Sequence, residues 1–241
     1  MELTGRVVVL TGAAHGIGAA MARRFAAEGA AGVVVSDVDA AGAGRVADEI
    51  ADAGGRAVAV TADATSKKDL KTLVAAARAE FGEVDLFCAN AGAAFGTGVH
   101  AADEQWAKSW EINVMQHVHA AQVVLPAMLA RGEGYLLITA SGAGLLGTPG
   151  DAPYSVTKHA AVGLAEWLAI TYRPRGVRVS ALCPLGVRTA LLEPEDVADA
   201  VVRGLGTEEF LILPHACVRE SFVRKAGAVD AWIDEMAVQG G

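Results

Sequence analysis

Arg6-Val-Val-Val-Leu-Thr11-Gly12-Ala-Ala-His15-Gly16-Ile17-Gly18 decides how the chain is built. Arg6 to Thr11 is short, apolar and β-branched, the pattern of a buried strand. The glycine-rich segment after it opens a helix predicted to run to about Glu28, with Gly29 as its stop. A strand, a tight turn and a helix N-terminus in succession suit a pyrophosphate. The glycines let backbone come close, while N–H groups and the helix dipole face the charge. The spacing is Thr-Gly-x-x-x-Gly-x-Gly, not Gly-x-Gly-x-x-Gly, and a bland glycine-rich turn shares part of it. The strand before and the helix after favour nucleotide binding. Gly12, His15, Gly16, Ile17 and Gly18 are therefore the first candidate cofactor residues.

The same alternation continues. Gly32 to Ser36 is a second strand, ended by Asp37 about twenty residues beyond Gly18. An acid at that distance can bind the adenosine ribose hydroxyls. It would also repel a 2′-phosphate, and neither Ser36 nor Val38 offers a cation, so NAD is preferred to NADP. His15 could touch a phosphate weakly. Capping of the helix at about 40–53 falls to Asp39 rather than Asp37. Arg56 to Thr61 is a third strand, and Asp63-Ala64 follows it. Asp63 could accept from an adenine amino group or serve equally as a turn residue. A helix at about 66–81 leads to the strand Val84 to Ala89 and then to Asn90-Ala91-Gly92, a tight turn that can bring backbone against a cofactor. Strands alternating with helices over short connections predict a parallel, doubly wound α/β sheet.

The second half holds the chemistry. Residues of about 103–130 read as a helical region that is apolar nearly all round, hence buried on both sides. His117 and His119, two apart, do not share a helix face and are not metal ligands; no metal is expected. Tyr135 to Ala140 is a fifth strand, with Ser141 at its end. A long helix from about Pro153 to Tyr172 carries Tyr154-Ser-Val-Thr-Lys158 in its first turns. Residues four apart share a face, so the Lys158 ammonium can act on the Tyr154 phenol. A free phenol titrates near 10 and is a poor base; a nearby cation lowers that value. The pair is a proton-transfer device for an alcohol or a carbonyl. The helix's inward stripe is predicted as Val156, Ala160, Leu164, Trp167 and Leu168. Val177 to Leu182 and Phe210 to Leu213 are the last two strands, and 216–237 reads as one amphipathic helix.

Thr11-Gly-x-x-x-Gly-x-Gly18, Asp63, Asn90-Ala-Gly92, Asn113, Ser141 and Tyr154-x-x-x-Lys158 occur in the order and spacing of the short-chain dehydrogenase/reductase superfamily, which the whole chain resembles. The resemblance implies a Rossmann-type, doubly wound, parallel seven-stranded sheet flanked by helices on both faces, in one domain over 1–241. It implies hydride transfer between NAD(H) and a secondary alcohol or ketone. Tyr154 would be general base or acid, Lys158 would hold the nicotinamide ribose, Ser141 would orient the substrate oxygen, and Asn113 would hold a water in a proton relay. Without the family, Ser141 is a Ser-Gly turn and Asn113 a buried amide satisfying backbone groups. Pro184, Val187 and Thr189 fall where the family contacts the nicotinamide amide and the pyrophosphate. The resemblance also implies a homotetramer or dimer.

Two departures stand out. Pro184-Leu185-Gly186 replaces the usual Pro-Gly, and only Ala190 to Glu193 separates Thr189 from a helix starting at Pro194, where relatives carry a longer lid. Ala94, Phe95, Ala143, Leu145, Leu185, Gly186 and Leu191 are mostly apolar pocket candidates, which favours a neutral, apolar or bulky substrate. An NADPH-dependent ketoreductase of the 3-oxoacyl type and a non-catalytic NAD-sensing protein are the alternatives; Asp37 opposes the first, and the presence of all four catalytic positions opposes the second.

Composition bounds the partners. At 241 residues and 53% hydrophobic the chain can fill a large core, and its net charge of −8 argues against nucleic acid or an anionic membrane as the partner. No apolar run reaches the length of a membrane span, and Val7 to Leu10 is too short for a signal peptide. Cys88, Cys183 and Cys217 are odd in number and far apart, as expected in the reducing cytoplasm.

Overall fold

Strands buried on both faces need mostly apolar residues, and three central strands of this chain, Val7–Thr11, Leu86–Ala89 and Gly134–Thr139, are buried at every position. In the computed structural model, which describes residues 1–147, 149–185 and 193–239, β1 (Val7–Thr11) is buried at all five positions. The chain then alternates: α1 (Gly16–Ala27), β2 (Gly32–Asp37), α2 (Ala40–Asp52), β3 (Ala57–Thr61), α3 (Lys67–Glu80) and β4 (Leu86–Ala89). After α4 (Asp103–Trp110) and α5 (Gln116–Arg131) come β5 (Gly134–Thr139), α6 (Ala143–Leu146), α7 (Ala152–Tyr172), β6 (Val177–Leu182), α8 (Pro194–Thr207), β7 (Leu211–Ile212), α9 (Ala216–Gly227) and α10 (Val229–Gln239). All pairings are parallel, in the order β3-β2-β1-β4-β5-β6-β7. This is the seven-stranded Rossmann-type sheet expected from the sequence.

Alternate side chains of each strand feed opposite faces. Val9, Phe87, Leu136 and Ile138 pack with α3, α5 and α7. Val8, Leu10, Leu86, Tyr135 and Leu137 pack with α1, α2 and α8. The strand order reverses between β1 and β4, and the crevice outside their C-terminal ends is where such sheets bind ligands. The Tyr135 hydroxyl, buried under the sheet, is satisfied by Ser180 Oγ at 2.7 Å.

Three expectations need correction. The region 103–130 is not one helix: a π-helical turn, Glu111–Met115, separates α4 from α5. Such a turn takes one residue more than an α turn and is common at functional sites; here it carries Asn113. The inward stripe of α7 is also displaced. Val156 is exposed, and Trp167 is 57% exposed. The buried face runs through Pro153, Thr157, Lys158, Ala161, Ala165, Leu168 and Ala169. Small residues let α7 lie close to the sheet; of the predicted stripe Leu168 is buried and Leu164 packs against the core, while Val156 and Trp167 point outward. Finally, the C-terminal segment breaks at Ala228 (φ −156°, ψ 72°), just after Gly227, into α9 and α10. Of the apolar residues that make this segment read as amphipathic (Val218, Phe222, Val223, Val229, Trp232, Ile233 and Met236), only Val218 and Trp232 are deeply buried; Val223, Val229 and Ile233 are exposed.

Candidate active site

A cleft of about 540 Å³ opens at the strand-order reversal. Gly12, His15, Ile17, Gly18, Asp37, Asp63, Ala64, Asn90, Ala91 and Gly92 line one part of it; Ser141, Tyr154, Lys158, Pro184 and Leu185 line the other. Gly16 opens α1 with φ +52°. Val187 and Thr189, with the pocket candidates Gly186 and Leu191, lie outside the described residues.

The glycines are dictated by close backbone approach. Gly12 has φ +61°, and a Cβ there would sit 2.7 Å from Ala91 Cα. A Cβ on Gly18 would lie 2.1 Å from the Gly12 carbonyl oxygen. Asn90 bolts the two turns together. Its Nδ2 donates to the Thr11 and Gly12 carbonyls at 3.2 and 3.0 Å, and its Oδ1 accepts from Thr139 Oγ1 at 3.0 Å. Asn90 therefore ties β1, β4 and β5 at the cleft floor.

At the far end of the glycine turn, the Asp37 carboxylate accepts the N–H groups of Ala14 and Asp39, both at 3.0 Å. Asp39 caps α2 through Gly42 N–H, as its position suggested. The His15 ring meets Asp39 Oδ2 at 2.8 Å, so it stands at the Asp37 end of the cleft. Backbone hydrogen bonding and the His15 partner hold the Asp39 carboxyl below its usual value. Asp63 Oδ1 accepts the Thr65 N–H and hydroxyl at 2.9 and 2.8 Å, which makes it a turn residue on the cleft wall.

At the other end, Tyr154 and Ser141 share a side-chain hydrogen bond. Ser141 Oγ also accepts the Ala143 N–H at 3.1 Å. Lys158, 3% exposed, donates to the Thr139 carbonyl at 3.0 Å, and its Nζ lies 5.7 Å from the Tyr154 ring centroid. A Cβ on Gly92 would come within 3.1 Å of that Nζ and 3.3 Å of Asn113 Oδ1. The expected electrostatics need correction for the protein alone. Burial pushes the Tyr154 phenol up, the Ser141 hydrogen bond pulls it down, and the Asp151 charge raises it. The same burial pulls Lys158 down to about 8.

Asn113 is fully committed. Its Nδ2 donates to the Ala93 carbonyl at 2.9 Å and to Ser109 and Thr157 hydroxyls at 3.2 Å, and its Oδ1 accepts the Ala93 N–H at 3.1 Å. It thus pins the loop after β4, as a buried amide does when it satisfies backbone. Asp151 was missed in the sequence. It caps α7 by accepting the Tyr154 N–H at 3.0 Å, and its other oxygen takes the N–H groups of Phe95 and Gly96 at 2.9 and 2.6 Å. The Asp-x-Pro spacing before α7 is the signal that marks it. Of the apolar candidates, Ala94 and Leu185 line the cleft, whereas Ala143 and Leu145 are buried and Phe95 sits beside Lys108.

Among the described residues there is no cluster of three metal-ligating side chains, and no helix is long and apolar enough to cross a membrane. Cys88 and Cys183 are buried, and burial pushes the Cys183 thiol up to about 12; Cys217 is exposed. Labelling the native protein with a thiol reagent should therefore modify Cys217 first, with Cys88 and Cys183 reacting only on unfolding. Fast modification of two or three thiols would contradict the packing of β4 and β6.

A parallel sheet whose switch-point cleft has a glycine cradle at one end and a Ser-Tyr-Lys cluster at the other defines a class of oxidoreductase. This chain belongs to the short chain dehydrogenase family, whose model matches residues 6–199. It is 35% identical over 238 residues to 1-deoxy-11-beta-hydroxypentalenate dehydrogenase of Streptomyces exfoliatus, covering 91% of this chain and 86% of that one. It is 30% identical to mouse (Mus musculus) 17-beta-hydroxysteroid dehydrogenase 13, covering 94% and 79%. Among solved structures, a short-chain dehydrogenase/reductase from Burkholderia phymatum in complex with NAD superposes with a TM-score of 0.89 at 28% identity, covering 96% of each chain. The protein is an oxidoreductase acting on a small molecule.

Proposed function

We propose that this chain catalyses reversible hydride transfer between NAD(H) and a bulky, largely apolar secondary alcohol or its ketone, with residues 1–241 acting as one unit. The observation that carries the proposal is the Ser141-Tyr154-Lys158 cluster at one end of a cleft whose other end is the glycine turn and Asp37. The residues fit a nicotinamide dinucleotide. Gly12, Gly16 and Gly18 leave a cradle that side chains would fill, and the α1 N-terminus faces it. Asp37 stands where ribose hydroxyls need an acceptor. Asn90, Ala91 and Gly92 form the wall between, with Ile17, Asp63 and Ala64 completing the adenosine end; Pro184, Val187 and Thr189 are assigned to the nicotinamide end.

The cofactor, when bound, supplies the hydride acceptor or donor. The chain's own residues handle the proton and the geometry. Ser141 Oγ and Tyr154 Oη together hold the substrate oxygen. In oxidation Tyr154 takes the hydroxyl proton as the carbinol hydrogen leaves as hydride; in reduction it returns that proton to the carbonyl oxygen. Lys158 holds the ribose and keeps a positive charge beside the phenol, offsetting what burial does to it. Asn113 positions the Ala93 backbone and, through the π turn, the back of the lysine; a relay water there belongs to the proposal.

The apolar lining and the relatives named for a hydroxysteroid and a hydroxypentalenate support a bulky alicyclic substrate. The outward apolar face of α7, with Val156, Trp167 and Ile170, supports a homo-oligomer, dimer or tetramer. The free thiols support the cytoplasm.

Asp37 gives the sharpest test of cofactor choice. A 2′-phosphate beside it would meet like charge, which costs several kcal/mol. Replacing Asp37 by Asn should shift the NAD-to-NADP preference in kcat/KM by about tenfold or more toward NADP. Steady-state kinetics with both cofactors measure it; an unchanged ratio would remove Asp37 from the ribose site.

A further inference from the structure

Pro184-Leu185 is where the chain departs from the usual Pro-Gly, and Leu185 is held on both sides. Its side chain packs against Gly142, where a Cβ would lie 2.8 Å from Leu185 Cδ2. Its N–H donates to His215 Nδ1 at 3.3 Å. His215 stands at the N-terminus of α9 and is 6% exposed. Two backbone bonds fasten this turn, Cys183 N–H to the Ile212 carbonyl at 2.9 Å and Gly142 N–H to the Pro184 carbonyl at 2.8 Å, and the Ser141 hydroxyl donates to the same Pro184 carbonyl at 3.4 Å. Pro184 has no N–H to give. The His215 bond is therefore the last backbone anchor described before residues 186–192. Pro184 and Leu185 wall the cleft beside Ser141.

We propose that His215 is a positioning residue for cofactor binding: its Nδ1 latches the Leu185 N–H and so fixes the turn that closes the Ser141 end of the cleft. The proposal rests on the nicotinamide assignment above and adds to it a residue outside the cleft.

A latch of this kind works only with a neutral ring. With Nδ1 accepting, the proton sits on Nε2, which is buried and has no partner among the described residues. Protonation would set a second N–H against the Leu185 N–H and open the latch. Burial holds the ring's pKa below the ordinary value of 6.5, so the latch stays closed at neutral pH and opens as pH falls below the usual imidazole range. The titratable groups on the neighbouring elements leave the ring alone. Cys183, just after β6, is held as a thiol, Cys217 on α9 is exposed, Arg219 on α9 is paired with Glu209 before β7, and Arg224 on α9 with Glu235 on α10. Glu220 and Lys225 also belong to α9, where Lys225 is bound to the Leu145 carbonyl, and α6 brings no titratable side chain.

Two readouts on the full chain test this. In the protein without nicotinamide, nuclear magnetic resonance should show the Leu185 amide shifting with the same midpoint as the His215 ring. A Leu185 amide that ignores that titration overturns the latch, whatever the enzyme binds. Fluorescence titration with NADH should then show His215→Leu weakening binding roughly three- to tenfold at neutral pH, the loss of about one hydrogen bond. His215→Asn, whose Oδ1 can accept the same N–H and cannot titrate, should restore affinity and abolish its acid-side decline. Wild-type NADH affinity in both variants, or equal loss in both, would overturn the positioning role. Wild-type protein that binds no NADH would instead sink the functional proposal, while the coupled titration still decides the bond.

Discussion

Tyr154→Phe should cut kcat by about 10²–10⁴-fold, the range that a positioned acid or base contributes, and leave NADH affinity within about twofold of wild type. The substitution removes one oxygen and keeps the ring that fills the cleft wall. Stability should change little, because Ser141 retains the Ala143 N–H and the Pro184 carbonyl as partners; loss of one hydrogen bond costs about 1 kcal/mol. The reason for the large kinetic effect is local. In the protein alone, burial and Asp151 keep the phenol protonated. Proton removal therefore depends on positive charge brought beside it, from Lys158 and from the oxidised nicotinamide ring. Lys158 is held at about 8 by burial, so it carries its charge at neutral pH and loses it as pH rises through that value. Stopped-flow and steady-state kinetics of the variant, with NADH binding alongside, make the comparison. Near-normal kcat in Tyr154→Phe would remove the tyrosine from the chemistry.

Gly18→Ala should have the largest effect on the cofactor cradle. The added methyl would lie 2.1 Å from the Gly12 carbonyl oxygen, 2.7 Å from Asn90 Nδ2 and 2.9 Å from Ala13 Cα. Two of those three are backbone atoms that cannot swing away, and the third is the bolt joining β1, β4 and β5. Overpacking of this kind costs about 1–3 kcal/mol, a fall of several degrees in Tm for a chain of this size. Cofactor affinity should fall more than tenfold, because relief of the clash moves the Gly12 turn itself. Gly44→Ala is the matched control. It lies in α2 with nothing within 4 Å of the new Cβ, and helix propensity predicts a gain of about 0.5–1 kcal/mol. Thermal unfolding and NADH titration of both variants separate crowding from loss of glycine. Equal behaviour of the two would contradict the close approach at Gly18.

The strands were legible because parallel strands buried on both faces need uninterrupted apolar residues, and Val7 to Leu10, Val33 to Val35 and Leu136 to Ile138 supply them. The glycine turn was legible because its spacing between strand and helix has few other uses. The α7 face was misread for a physical reason. Its buried side carries Lys158 and Thr157 among alanines, with Leu168 of the predicted stripe, while Val156 and Trp167 point outward, so hydrophobicity marked the face only in part. The π turn left no mark, since one extra residue inside an apolar helix does not change its composition. Lys158 was expected to act on Tyr154 and on the nicotinamide ribose; that its ammonium also meets the Thr139 carbonyl follows from the β5–α7 packing, which no local pattern encodes. The break at Ala228 was signalled by Gly227, but the apolar stripe on either side hid it.

The most direct test of the central claim is reduced-nicotinamide absorbance with purified protein, NAD or NADP, and a panel of bulky secondary alcohols that includes alicyclic ones. NADH should form with NAD and an apolar alicyclic alcohol, and NADP should support far less turnover. Turnover with NADP alone, or no binding of either nicotinamide cofactor, would contradict that claim.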